Sequence, residues 1–309
     1  MPKKPQCAFS AGVWSATPTP FTPEWDIDVD SVQRLVDHHL RLGVKGLFLA
    51  GTCGEGPWMP ERTRRTMVQT AARFAKGKLH IAVQVTDNSA ARIIDNMHAA
   101  REDGADIAVI APPHFLLNAN AGTITELYRE AIRACPLPVG IYDRGKFGAV
   151  VVPDEALKKI YAEENVVMAK DSSADPVRRD IALAVRRKRP QLMLLTGAEF
   201  QCAEYLAAGY DGLLLGGGIF NGAMANKIID LVAAGKIAQA ERLQARMNRM
   251  MWDVYGGKKI QCWLSGQKKL LVEMGIFTTW QNHLHYPLTK SCENAIRRVL
   301  EREREYLFP

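Results

Sequence analysis

The six cysteines (Cys7, Cys53, Cys135, Cys202, Cys262 and Cys292) include no C-x-x-C pair and stand beside no histidine at metal-ligand spacing. That pattern argues against a metal site and fits reduced thiols in a cytoplasmic protein, so no metal is expected. No apolar run is long enough to span a membrane, and Met1 to Ser10 lacks the apolar core of a secretory leader. No G-x-G-x-x-G follows the first strand-like run, which leaves a dinucleotide without its phosphate turn. Nor does any stretch interleave aromatic with basic residues as a platform for stacked bases requires. The net charge of +7 and the pI near 9.1 do not reverse that exclusion. The densest basic run, Arg186 to Arg189, precedes Pro190 at the end of a predicted helix, where cations complement the helix dipole and face water.

What remains is an ordinary globular composition, 309 residues with 47% hydrophobic and 24% charged, enough for one barrel and an extension. Eight apolar runs have strand character: Val13–Ala16, Gly46–Ala50, His80–Gln84, Ile107–Ile110, Leu137–Ile141, Val166–Ala169, Leu192–Leu195 and Leu213–Leu215. Helical periodicity fills the intervals, as in 30–42 and, after a Ser89 cap, in 89–102. Three helix exits share a glycine just ahead of the next strand, at Gly43, Gly104 and Gly209. Alternating strands and helices call for parallel strands with helical crossovers, and eight such units fit a TIM barrel whose active site lies at the C-terminal strand ends. A doubly wound sheet is the second choice. From about Ala223 onward the strands cease, and 227–232, 237–251, 268–274 and 294–306 are predicted helices, with Met247, Met250 and Met251 as core packing. Residues 8–232 are thus expected to form the barrel and 233–309 a C-terminal helical region packed on it.

The chemically loaded residues follow the strands. Lys170 closes the run Val166–Ala169 and precedes Asp171-Ser172-Ser173. An amine held among apolar neighbours is disfavoured as an ammonium, and its neutral form attacks carbonyls, which is Schiff-base chemistry. Gly51-Thr52-Cys53-Gly54-Glu55 follows the second strand, Ala111-Pro112-Pro113-His114 the fourth, Tyr142-Asp143-Arg144 the fifth, Thr196-Gly197-Ala198-Glu199 the seventh and Gly216-Gly217-Gly218 the eighth. His114 fits equally a satisfied polar residue or a substrate contact. Glu199 opens a helix, where the dipole alone favours an acid, yet it faces the same mouth.

Together these segments resemble the dihydrodipicolinate synthase and N-acetylneuraminate lyase family of class I aldolases, from about Gly12 to Leu300. Gly51 to Glu55 is similar to that family's G-[TS]-T-G-E loop, Tyr142 to the tyrosine ending its fifth strand, Lys170 to Ser173 to its K-[DE]-S-S element, and Lys268 to Gly275 to its K-x-x-L-x-x-x-G helix. The resemblance implies a 2-oxo acid such as pyruvate, bound as an imine of Lys170, with no external cofactor and an aldehyde as the second partner. It also implies that Thr52 and Cys53 hold the oxo acid's carboxylate, that Tyr142 moves protons with Thr52 as orienter and relay, and that the assembly is a homotetramer built from dimers. His114, Glu199 and Gly217 are the further candidate substrate contacts, since the triple glycine leaves open backbone.

The departures bear on the substrate. Pro112-Pro113-His114-Phe115 stands where the synthases carry paired tyrosines, and Cys53 replaces the loop's second hydroxyl. Phe147 falls at the arginine position used for the aldehyde's carboxylate, with Arg144 or Lys146 as substitutes if the loop runs differently. The expectation is a TIM-barrel lyase performing reversible aldol cleavage or condensation with pyruvate, and not the lysine-pathway synthase. The alternatives are a 2-oxo-3-deoxy sugar acid dehydratase using the same imine and a non-catalytic 2-oxo acid sensor.

Overall fold

Strand-length apolar runs joined by glycine-terminated amphipathic helices close most simply on themselves, and the chain does so. The computed structural model describes residues 9–309; Met1 to Ala8, with Cys7 and most of the segment read for a leader, lie outside the described residues. In order come β1 (Val13–Ala16), α1 (Val29–Arg41), β2 (Gly46–Leu49), α2 (Glu61–Ala75), β3 (His80–Gln84), α3 (Ala90–Glu102), β4 (Ile107–Ile110) and α4 (Ala121–Ala134). The second half continues with β5 (Val139–Asp143), α5 (Asp154–Tyr161), β6 (Val166–Asp171), α6 (Pro176–Lys188), β7 (Met193–Thr196), α7 (Cys202–Ala207), β8 (Gly212–Leu215) and α8 (Gly218–Ala233). Each strand pairs in parallel with its chain neighbour, and β8 closes onto β1, giving the expected TIM barrel. Four more helices follow: α9 (Ile237–Val254), α10 (Trp263–Glu273), α11 (Lys290–Arg302) and α12 (Arg304–Leu307).

The barrel is a filled core. Trp14, Phe48, Val109, Met168, Leu195 and Leu214 pack inside it. Gly46 pairs with Trp14 across β1 and β2, and a Cβ there would fall 2.4 Å from the indole, so only glycine lets that ring lie inside. A second apolar layer separates strands from helices. The helix exits at Gly43, Gly104 and Gly209 all have positive φ (71°, 97° and 110°), which is why glycine marks them.

Three boundaries differ from the sequence expectation. The second strand stops at Leu49 because Ala50 turns left-handed, with φ 54°. Helix α8 begins at Gly218 rather than near Lys227, so the triple glycine is a tight strand-to-helix junction and not an open loop; a Cβ on Gly218 would lie 2.9 Å from Ser15 Cα. The last helix starts early, where Thr289 Oγ1 accepts from Cys292 N, and breaks at Glu303, whose carboxylate is held by Arg246 and Arg302 at 2.8 and 2.7 Å. Met247, Met250 and Met251 are fully buried, as expected of core. Part of the basic run is bonded rather than solvated: Arg186 donates to Asp211 at 2.7 Å, and Arg189 to the carbonyls of Tyr161 and Glu164. Among the described residues no helix is long and apolar enough to cross a membrane.

Candidate active site

Pairing of β5 with β6 sets Tyr142 beside Lys170 and Asp143 beside Asp171. Alternate strand residues point to opposite faces, so the tyrosine and lysine face the barrel interior and the aspartates face the helices. Arg178 of α6 grips Asp143 bidentately at 2.6 and 2.8 Å, and Gly145 N donates a further bond at 2.9 Å. Asp171 accepts from Ser173 N, from the Ser173 hydroxyl and from the Tyr210 hydroxyl at 2.9, 2.7 and 2.8 Å; burial nonetheless holds its pKa above the usual carboxylate range. The two acids anchor the ends of the strands that carry the chemistry.

Lys170 is 5% exposed, and its Nζ lies 4.1 Å from the Tyr142 ring centre and 4.8 Å from that of Phe48. Among the described residues this amine makes no hydrogen bond and no ion pair. It opens instead on a cavity of about 160 Å³ bounded by Thr52, Tyr142, Arg144, Ser172, Glu199 and Trp263. Gly197 is obligatory at this wall, because a Cβ there would sit 2.0 Å from Ser172 Oγ and 2.9 Å from Lys170 Cε. Lys268, the other buried lysine among the described residues, behaves differently: its ammonium is paired with Glu55, and although burial pulls its pKa below the ordinary value, Glu55 opposes the shift. Burial should raise the pKa of Tyr142, yet the ammonium of Lys170, the guanidinium of Arg144 and the hydroxyls of Thr52 and Ser172 together bring it below the ordinary value.

The loop after β2 is drawn tight. Ala50 and Glu55 are both left-handed, and a Cβ on Gly56 would lie 1.9 Å from the Ala50 carbonyl. Glu55 N bonds to Thr52 O and Gly56 N to Gly51 O, while the amides of Thr52 and Cys53 donate to no acceptor among the described residues. The Cys53 thiol donates to Gly216 O and Gln267 Oε1 at 3.6 and 3.4 Å, and burial pushes its pKa up to about 12. Its side chain is therefore a neutral brace against β8 and α10, and only its amide is free for a ligand.

The remaining candidates divide between two chambers. Glu199 lines the Lys170 cavity, but its carboxylate is held by Gly217 N at 2.8 Å and the Tyr255 hydroxyl at 3.0 Å, and burial raises its pKa. Gly217 thus spends its amide on Glu199, and of the three consecutive glycines it is Gly216 that lines the cavity. His114 stands outside that wall, in an adjoining cavity of about 170 Å³ with Trp58, Gln84, Pro112 and Pro113; burial lowers its pKa. Thr52 and Arg144 line both cavities, and the Arg144 guanidinium has no carboxylate partner among the described residues. Phe147 is 55% exposed beside Lys146 and lines neither. Of the alternatives for the arginine position, the geometry supports Arg144. Sequence reasoning missed Trp263, which lines the cavity, and Gln267, which braces Cys53, both from a C-terminal region that had shown little that looked chemical.

An unpaired lysine beside a tyrosine, at the C-terminal mouth of a closed parallel barrel, is the layout of a barrel enzyme that works at that face. The particular family follows from comparison: the sequence profile of the dihydrodipicolinate synthetase family matches residues 9–301, and the chain belongs to that family. Curated relatives include the 4-hydroxy-tetrahydrodipicolinate synthase of Kosmotoga olearia, 28% identical over 248 residues covering 78% of this chain and 81% of that protein. The N-acetylneuraminate lyase of Rhizobium meliloti is 27% identical over 244 residues, 78% and 79% of the two chains. Among solved structures, dihydrodipicolinate synthase from Bacteroides thetaiotaomicron superposes with a TM-score of 0.85 at 25% identity, over 94% of this chain and 98% of that one. CdNal from Clostridium difficile, solved with mannosamine, gives 0.84 at 20% identity, over 96% and 99%, which shows the fold alone. The protein is thus an enzyme of the class I aldolase and lyase type, a family that works through a lysine Schiff base without an external cofactor.

Proposed function

We propose that the protein catalyses reversible aldol cleavage or condensation of a pyruvate-like 2-oxo acid through an imine on Lys170. The carrying observation is the unpaired Lys170 amine, packed against the Tyr142 ring at 4.1 Å and facing a cavity, while the buried Lys268 is neutralised by Glu55. Lys170 Nζ adds to the C2 ketone, and loss of water leaves a protonated imine. In cleavage the Tyr142 phenolate takes the proton of the C4 hydroxyl, the C3–C4 bond breaks, and its electron pair enters the imine to give an enamine. An aldehyde departs, C3 is reprotonated, and water releases the oxo acid and Lys170. The Thr52 and Cys53 amides suit the oxo acid's carboxylate, and the Thr52 hydroxyl suits the phenol it must orient.

The two cavities suit a division of labour, with the oxo acid inside and the aldehyde outside. Trp58, Pro112 and Pro113 make one side of the outer chamber broad and apolar, and Arg144 and His114 make the other polar. A short acidic aldehyde would meet Arg144 but leave the Trp58 wall unfilled, so the favoured partner is bulkier, and the lysine-pathway synthase reaction is not the one proposed. Glu199 serves the inner chamber rather than the aldehyde. Cytoplasmic location and a homotetramer built from dimers complete the reading by family likeness.

Borohydride added with pyruvate should inactivate the enzyme and add the reduced pyruvyl mass to the peptide containing Lys170. Labelling that persists in Lys170→Ala would move the imine elsewhere, and a wild-type protein that no 2-oxo acid labels would sink the proposal. Product analysis on 2-oxo-3-deoxy sugar acids separates cleavage from dehydration, because only cleavage breaks the C3–C4 bond and releases pyruvate.

A further inference from the structure

Two non-glycine residues, Ala50 (φ 54°) and Glu55 (φ 62°), hold the loop after β2 in left-handed kinks. Residues with a Cβ take that conformation only when their surroundings enforce it. Glu55 shows what does. Its side chain is fully buried; one oxygen accepts from Lys268 Nζ and the other from His283 N at 2.6 Å. Lys268 lies 213 residues further along, on α10, and is equally buried; it donates again to Gln281 O at 2.6 Å and sits 4.5 Å from the Phe21 ring. The adjacent Gln267 donates to Gly216 O at 2.7 Å and accepts from the Cys53 thiol, so α10 grips the same loop at a second point. Neither Glu55 nor Lys268 lines either cavity.

Stability alone does not account for such a pair, because apolar side chains of similar volume commonly stabilise a core as well as a buried ion pair does. Direction is what the pair adds. We propose that Lys268 and Glu55 are positioning residues whose ion pair locks the Gly51 to Gly56 loop, so that the Thr52 and Cys53 amides and the Thr52 hydroxyl stay aimed into the Lys170 cavity. The inference rests on the carboxylate-binding role given to that loop above. A helix outside the barrel thereby sets the affinity for the oxo acid without touching it.

The test replaces the pair with apolar side chains of similar length, as Glu55→Met combined with Lys268→Met. Borohydride labelling of Lys170 is followed against pyruvate concentration, and hydrogen exchange is followed in the peptide spanning Gly51 to Gly56. The half-saturating pyruvate concentration should rise about ten- to hundredfold, the scale of a roughly 1 Å misplacement, while labelling at saturation still reaches Lys170. Loop exchange should quicken even without substrate. A folded double variant with wild-type half-saturation and wild-type exchange overturns the proposal. If the double variant does not fold, Glu55→Gln keeps an acceptor for His283 N and removes the charge; a rise of at least about threefold is then expected, from weakening one charged hydrogen bond, and no rise overturns it. Loop exchange needs no substrate, so a wild-type protein that no oxo acid labels defeats the imine reading and leaves positioning to be judged by exchange.

Discussion

Tyr142 sits between opposed influences, since burial favours the neutral phenol while Lys170, Arg144 and the hydroxyls of Thr52 and Ser172 favour the phenolate. The charges win, so the phenolate needed for cleavage forms at lower pH than in a free tyrosine, and cleavage should quicken as pH rises through that lowered value. Tyr142→Phe keeps the ring that packs on Lys170 and loses the proton carrier. Turnover should fall by about two to four orders of magnitude, and the alkaline rise should vanish with it, while borohydride labelling of Lys170 persists. Rate measurements from neutral to alkaline pH decide the matter: near wild-type turnover, or an unchanged alkaline rise, would assign proton transfer to another group, with His114 of the outer chamber the first to examine. Both Lys170 and Tyr142 were legible in the sequence because each ends an apolar run, and position at a strand end is a local property. The placing of Arg144 rather than Phe147 at the cavities was not, because it follows from the turn at Gly145 to Phe147, whose first amide bonds to Asp143, itself gripped by Arg178 of a later helix.

The β7 exit shows how an element constrains the chemistry next to it. Gly197 N donates to Asp171 O at 2.6 Å, binding the end of β7 to the strand that carries Lys170. A methyl at this position would collide with Ser172 Oγ and crowd Lys170 Cε. Gly197→Ala should destabilise by about 1–3 kcal/mol, the usual penalty for overpacking. It should also slow imine trapping by up to about a hundredfold through displacement of the lysine. Thermal unfolding and borohydride kinetics report these separately, and trapping at the wild-type rate in a folded Gly197→Ala protein would show that the site accommodates a side chain there. The strands and the glycine exits were visible in the sequence because periodicity and left-handed turns are local. The junction at Gly216 to Gly218 was misjudged as open loop because the need for glycine at Gly218 comes from Ser15, on a strand some two hundred residues earlier, and at Gly217 from Phe220 and Asn221 of the helix that follows.

Barrel and C-terminal helices share one apolar core, and the division expected at residue 232 falls inside α8. Met247, Met250, Met251, Leu264, Leu270 and Leu271 are fully buried. The Lys170 cavity draws Trp263 from beyond that boundary, and Tyr255, Gln267 and Lys268 hold Glu199, Cys53 and Glu55 from there. A chain ending at residue 232 would strip Glu55 of Lys268 and of the His283 amide and would expose the apolar surface that α9 and α10 cover. A net stability of roughly 5–15 kcal/mol for a typical domain leaves little margin for exposing that much apolar surface. Residues 1–232 should therefore be insoluble or give a broad, early thermal transition, and pyruvate should protect nothing and label nothing. Adding 233–309 as a separate polypeptide should restore labelling in proportion to complex formed, since the missing contacts are noncovalent. A soluble 1–232 fragment that binds pyruvate with wild-type affinity would show that the loop after β2 holds its shape unaided, and that the helices are only a cover.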